Sequence, residues 1–226
     1  MAQQNLKPWE KKKQSPYRIE AFSQNKIILI VCEGQTETKY FESFDLVSTK
    51  VICENTKGRT KRQLVEFCEK IEKSYNKEGV YFDEIWCVFD MDKKRGEAEF
   101  ADFDNAIASA INKQYKVAYS NDAFELWFYL HFNYTDQQAL RDFYYEQLSN
   151  YFGYNYVKIG KKLENCSNNY NRLLTHAQAN QNTAIRNAKK LHINQKHLPY
   201  SQQNPVTTVY QLVTELNKYL RGAKHS

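Results

Sequence analysis

Six apolar residues in succession, Ile27 to Cys32 and mostly β-branched, form the strongest hydrophobic signal in the chain. A run of that length and makeup reads as a strand buried on both faces, the kind found inside a parallel sheet, and it is far too short to cross a membrane. It stops at Glu33 and Gly34, and a helical pattern takes over near Thr36, spanning 36–47. A second apolar run, Ile85 to Phe89, ends in Asp90-Met91-Asp92. Weaker strand signals lie at Val51-Ile52-Cys53 and Lys116-Val117-Ala118-Tyr119. Between them, 60–77 places Leu64, Cys68, Ile71 and Tyr75 at helical spacing, and 97–114 does the same with Phe100, Phe103, Ile107 and Ile111. An aromatic helix runs from Asp122 to about Phe132.

Strands alternating with helices predict an α/β fold built on a mostly parallel sheet flanked by helices. The alternation stops near residue 132. Beyond it the spacing predicts only helices, over 135–149, 163–192 and 205–220, the last capped by Asn204 with Pro205 at its first position. This gives a core over 26–132, an appended C-terminal helical part over 133–226 that packs on it, and a basic arm over 1–25.

Charge sharpens that division. The net charge is +6 over 226 residues, yet residues 151–226 hold eleven Lys and Arg against only Glu164 and Glu215. That block is +9, which leaves −3 for residues 1–150. Clustered positive charge attracts polyphosphate, and clustered carboxylates attract hard cations. Lys158, Lys161, Lys162, Arg172, Arg186, Lys189 and Lys190 are therefore candidate contacts to a polynucleotide backbone, although each by itself also reads as a solvated surface charge. The five cysteines show no CxxC spacing and fall mostly at core positions, so reduced thiols in a cytoplasmic protein are expected. The Lys- and Gln-rich N-terminus does not read as a signal peptide.

The candidate chemistry lies where strands end. In open α/β sheets ligands gather outside the carboxyl ends of the strands. If the strand ending at Glu33 lies beside the one ending at Asp90, their carboxylates converge, and Asp92 points the same way as Asp90 in an extended chain. Three crowded carboxylates with all-oxygen donors suit Mg²⁺ or Mn²⁺. The bland readings are turn chemistry for Asp-x-Asp and an ordinary surface acid for Glu33. Gly34 allows a tight turn and close approach of a phosphate, and Thr36 caps a helix whose N-terminus attracts anions, or the two form a plain strand-to-helix turn. Asp122-x-x-Glu125 matches a capping box, while the same helix starts at the sheet edge where Glu125 can reach a metal or substrate. His131 falls on the Phe124–Trp127 stripe and reads as packed rather than catalytic. No P-loop and no Ser/His/Asp or Cys/His order is present.

Val31-Cys32-Glu33-Gly34-Gln35-Thr36-Glu37 with Tyr40-Phe41, Phe89-Asp90-Met91-Asp92, Ser120-Asn121-Asp122-Ala123-Phe124-Glu125-Leu126-Trp127 with His131, and Asn204-Pro205-Val206-Thr207 together resemble the RloB-like family over about 27–220. The resemblance implies a toprim-like core, related to that of topoisomerases, bacterial primases and overcoming-lysogenisation-defect nucleases. It implies metal or acid/base roles for Glu33, Asp90 and Asp92, and makes Asn121 and Glu125 candidate contacts. It further implies a bacterial protein of anti-phage defence that cuts RNA, tRNA among the possibilities, or DNA, in company with a defence-system partner. The other readings are a binding module of such a complex and a nucleotidyl transferase.

Overall fold

In the computed structural model the described residues are 26–56, 60–92 and 97–222; the arm expected over 1–25 lies outside them. The sheet has five strands, in the order β2-β1-β3-β4-β5. These are β1 (Lys26–Cys32), β2 (Thr49–Asn55), β3 (Glu84–Asp90), β4 (Lys116–Asn121) and β5 (Val206–Thr207). The first four are parallel, and β5 runs antiparallel to β4. β1 is central, with Ile28 to Cys32 fully buried, as its unbroken apolar run requires. Cys32 pairs with Val88, two residues short of Asp90, so β1 and β3 deliver Glu33 and Asp90 to one edge.

Helices α1 (Gln35–Glu42), α2 (Lys61–Lys77) and α3 (Glu97–Asn112) make the crossovers. The amphipathic faces read from the sequence are buried at Leu64 and Cys68 on α2 and at Phe103 and Ile107 on α3, but the α3 stripe surfaces at Ile111, which is 50% exposed. α2 and α3 pack on each other and against the central strands. The five cysteines are free, and four of them are buried. Among the described residues no helix is long and apolar enough to cross a membrane.

The second part of the chain differs from expectation in four places, the helix expected over 135–149 starting only at Arg141. The helix expected over 122–132 is the short α4 (Glu125–Tyr129), preceded by a cis Asn121–Asp122 peptide. The stretch 163–192 divides into α6 (Leu163–Cys166), α7 (Asn169–Thr175) and α8 (Gln181–Gln195), following α5 (Arg141–Phe152) and a π-helical turn at Tyr156–Gly160. Pro205 opens no helix. It follows a cis bond and leads into β5, and α9 (Val209–Asn217) begins only after Thr208. A two-residue strand carries no period to read, and Asn-Pro before an apolar run imitates a helix start. The C-terminal part is thus helical but returns one strand to the sheet.

An aromatic cluster binds the two parts. Tyr40 of α1 lies 5.3 to 5.6 Å, ring centre to ring centre, from Phe41, Phe44, Phe124, Phe128 and Tyr170. Its hydroxyl accepts a hydrogen bond of 2.9 Å from the indole N–H of Trp127, both groups being buried. Tyr40→Phe removes that acceptor and leaves a buried donor unpaired, which costs about 1–3 kcal/mol. The expected result in a thermal melt is a Tm lowered by several degrees, about 2–4 °C per kcal/mol for a chain of this size. An unchanged Tm would show the bond to be dispensable.

Candidate active site

Glu33, Asp90 and Asp92 do converge. With Gly34, Gln35, Thr36, Glu37, Arg141 and Lys161 they line one cavity of about 280 Å³ at the C-terminal edge of the sheet. A larger cavity of about 560 Å³, lined among others by Trp86, Tyr119 and His192, has none of these acids.

Within the site each acid is held differently. Glu33, one residue past β1, uses both oxygens: Oε2 accepts the Asp90 N–H at 2.9 Å and Oε1 faces Lys61 Nζ at 3.3 Å. Lys61, the first residue of α2, is 1% exposed and also pairs with Glu99. Burial raises the Glu33 carboxyl above its ordinary value, opposed by Lys61 and the Asp90 N–H. Asp90 ends β3, and its Oδ1 is buried with no hydrogen-bond partner among the described residues. Burial, together with the charges of Glu37, Glu33 and Glu125, pushes its carboxyl well above the usual range.

Asp92 does not continue the strand. Its φ of 54° is left-handed, so the parallel aim expected of two residues on an extended chain is absent. Its N–H donates to Asp122 O at 3.2 Å, and its Oδ1 lies 3.2 Å from Arg141 Nη2. Asp122 is no helix cap either. Its Oδ2 accepts the backbone N–H of Arg141 at 3.0 Å, with Arg141 Nε at 3.4 Å. The capping-box reading of Glu125 therefore fails. Glu125 is 2% exposed, and its Oε1 lies 2.9 Å from Lys161 Nζ and accepts the Tyr156 hydroxyl at 3.2 Å. Lys161 also donates to the Tyr145 hydroxyl at 2.9 Å. Burial alone would lower the Lys161 ammonium, but Glu125 beside it holds it above its ordinary value.

Two groups at the site escaped the sequence reading. Glu37 is 6% exposed, and its carboxyl is pushed up to about 7, chiefly by burial and then by Glu125 and Glu33. Its Oε2 stands 2.8 Å from where a Cβ on residue 34 would sit, so Gly34 makes room for this side chain. A signal existed: Glu37 precedes the buried Tyr40 and Phe41 by three and four positions, an acid on an apolar stripe. Arg141 had no such signal, since nothing in its neighbourhood separates it from a solvated helix residue.

Other candidates lie elsewhere. Asn121 is fully buried, donates from Nδ2 to Ser201 O at 3.0 Å, and does not line the cavity. Gly34, not Thr36, occupies the N-cap of α1, and the Thr36 hydroxyl meets Cys166 Sγ at 3.7 Å. His131 is buried, with Nδ1 2.9 Å from Trp127 O, and burial lowers its pKa to about 4, which suits a packed neutral ring. Of the basic set only Lys161 reaches the cavity. Lys158, Lys162, Arg186, Lys189 and Lys190 are exposed, and Arg172 packs over Tyr154.

The donors have the chemistry for a divalent cation: oxygen only, with a buried Asp90 oxygen lacking a partner among the described residues and carboxyls raised by burial and then by one another's charge. Yet among the described residues no three His, Cys, Asp or Glu side chains are already set to hold a metal together. The reason is visible. Lys61, Arg141 and Lys161 each draw one acid aside.

The raised Glu37 value has a sign that can be worked out. Its folded value, about 7, lies above the ordinary 4.5, so the folded state keeps a proton that the unfolded chain has released. Stability from this group is full below about pH 4.5 and is lost as pH rises through 7, a swing of about 3 kcal/mol. With a chelator present, Glu37→Gln should therefore gain Tm relative to the parent across that window and keep the gain at pH 8. A difference that stays flat with pH would show Glu37 to be ionised throughout.

No curated protein and no solved structure matches the chain. The family model described as RloB-like protein matches residues 28–216, from within β1 to within α9, and includes every residue lining the acidic cavity. The chain belongs to the RloB-like family.

Proposed function

We propose that this protein is a metal-dependent nuclease that hydrolyses phosphodiester bonds of RNA, with tRNA a natural candidate, or of DNA, as part of bacterial anti-phage defence in the cytoplasm. The observation that carries the reading is that Asp90, whose buried Oδ1 has no partner among the described residues, lines a carboxylate cavity together with Arg141 and Lys161. Asp90, with Glu37 and Asp92, would hold Mg²⁺ or Mn²⁺, which when bound supplies Lewis-acid stabilisation of a phosphate and a more acidic water. Glu33, raised by burial, is suited to take a proton from an attacking water or return one to the leaving oxygen. Arg141 and Lys161 are placed to meet phosphate oxygens, at the cost of loosening their grip on Asp92 and Glu125. The exposed Lys158, Lys162, Arg186, Lys189 and Lys190 would hold the rest of the strand. A restraining or activating partner protein in a defence complex fits the same picture.

One observation favours a second reading, a binding module without cleavage. Glu33, Asp92 and Glu125 already have cationic partners, as acids in a structural network do. The two readings separate in one assay. Purified protein with Mg²⁺ or Mn²⁺ should cut RNA or DNA, and Glu33→Ala or Asp90→Ala should lower the rate by about 10²-fold or more while the circular dichroism stays native. Variants that cut as well as the parent overturn the nuclease reading. A parent that is inert but binds nucleic acid with a steep salt dependence supports the module.

A further inference from the structure

Lys61 breaks two rules at once. It is a cation at the first position of a helix, where the dipole favours acids, and it is a lysine with 1% exposure. The start of α2 does not need it, because Thr60 and Gln63 cap that helix reciprocally: Thr60 Oγ1 accepts the Gln63 N–H at 3.3 Å and Gln63 Oε1 accepts the Thr60 N–H at 3.2 Å. A charge so placed is kept for what it touches. Its Nζ pairs with two carboxylates from different elements, Glu33 after β1 at 3.3 Å and Glu99 of α3.

The consequence falls on Glu33. One of its oxygens faces Lys61 and the other accepts the Asp90 N–H at 2.9 Å, so a cation would share each oxygen with a partner already in place. Lys61 does not line the acidic cavity, whereas Asp90, Asp92 and Glu37 do. An ion entering there meets those three, with Asp90 Oδ1 lacking a partner among the described residues, while Glu33 is turned toward the Lys61 ammonium.

We infer that Lys61 is a resident cation, filling the place between Glu33 and Glu99 that a divalent ion would otherwise take, and so a positioning residue that keeps Glu33 off the metal. The inference rests on the metal reading above and refines it: one ion per chain, held without Glu33, which stays available to carry a proton. Removing the ammonium leaves two partly buried carboxylates that had shared it, which is the arrangement that recruits a hard cation.

The test counts Mn²⁺ bound to the full chain, by titration calorimetry and by electron paramagnetic resonance of the free ion, without reference to cutting. The parent should bind one Mn²⁺. Glu33→Gln should leave its Kd unchanged, whereas Asp90→Asn should weaken it by about tenfold or more. Lys61→Ser should bind a second Mn²⁺, and Lys61→Arg should not. The inference is overturned if Glu33→Gln weakens Mn²⁺ binding as much as Asp90→Asn, or if a folded Lys61→Ser still binds a single ion. Either result leaves the metal reading standing. A parent that binds no Mn²⁺ overturns both. If Lys61→Ser does not fold, the comparison of Glu33→Gln with Asp90→Asn decides alone.

Discussion

The structure is governed by the difficulty of keeping Glu33, Glu37, Asp90, Asp92 and Glu125 together at one edge of a sheet. Like charges at this distance in a partly dry cavity cannot all stay ionised unless something positive stands among them. The protein meets the constraint by interleaving. Lys61 takes Glu33, Arg141 takes Asp92, and Lys161 takes Glu125. Asp90 and Glu37 remain without an ion pair among the described residues, and burial and neighbouring charge drive their carboxyls upward, as burial does that of Glu33 despite Lys61.

The bases come from far along the chain. Lys61 opens α2, Arg141 opens α5, and Lys161 follows the π-helical turn. Irregular helical turns of that kind re-aim a side chain, as local departures from regular geometry at functional sites often do. The strand ends supply the acids, and the helices deliver the counter-charges to the same point. This division fits the known tendency of open α/β sheets to place chemistry at the carboxyl edge.

Much of this was legible in the sequence. The apolar runs ending at Glu33 and Asp90 required two buried neighbouring strands, and β1 and β3 pair as that demands. What was not legible has physical reasons. Asp92 was expected to follow Asp90 in an extended chain, but a left-handed residue turns it toward Arg141, and no local pattern announces such a turn. Asp122 and Glu125 fit a capping box in spacing, yet tertiary partners claim both side chains. β5 is too short to show a period, so Val206 and Thr207 read as the first turn of a helix. The +9 block described charge without location, and of its described members only Lys161 lines the acidic cavity.

The order of these groups along the chain also sets an order in time. During synthesis the sheet-edge acids from Glu33 to Glu125 leave the ribosome before Arg141 and Lys161, and β5, which closes the β4 edge, comes later still. The nascent chain therefore carries an unbalanced acidic edge until Lys161 is made and an uncovered strand until Val206 and Thr207 are made. Maturation of the cavity waits on Arg141 and Lys161, which line it from outside the strands.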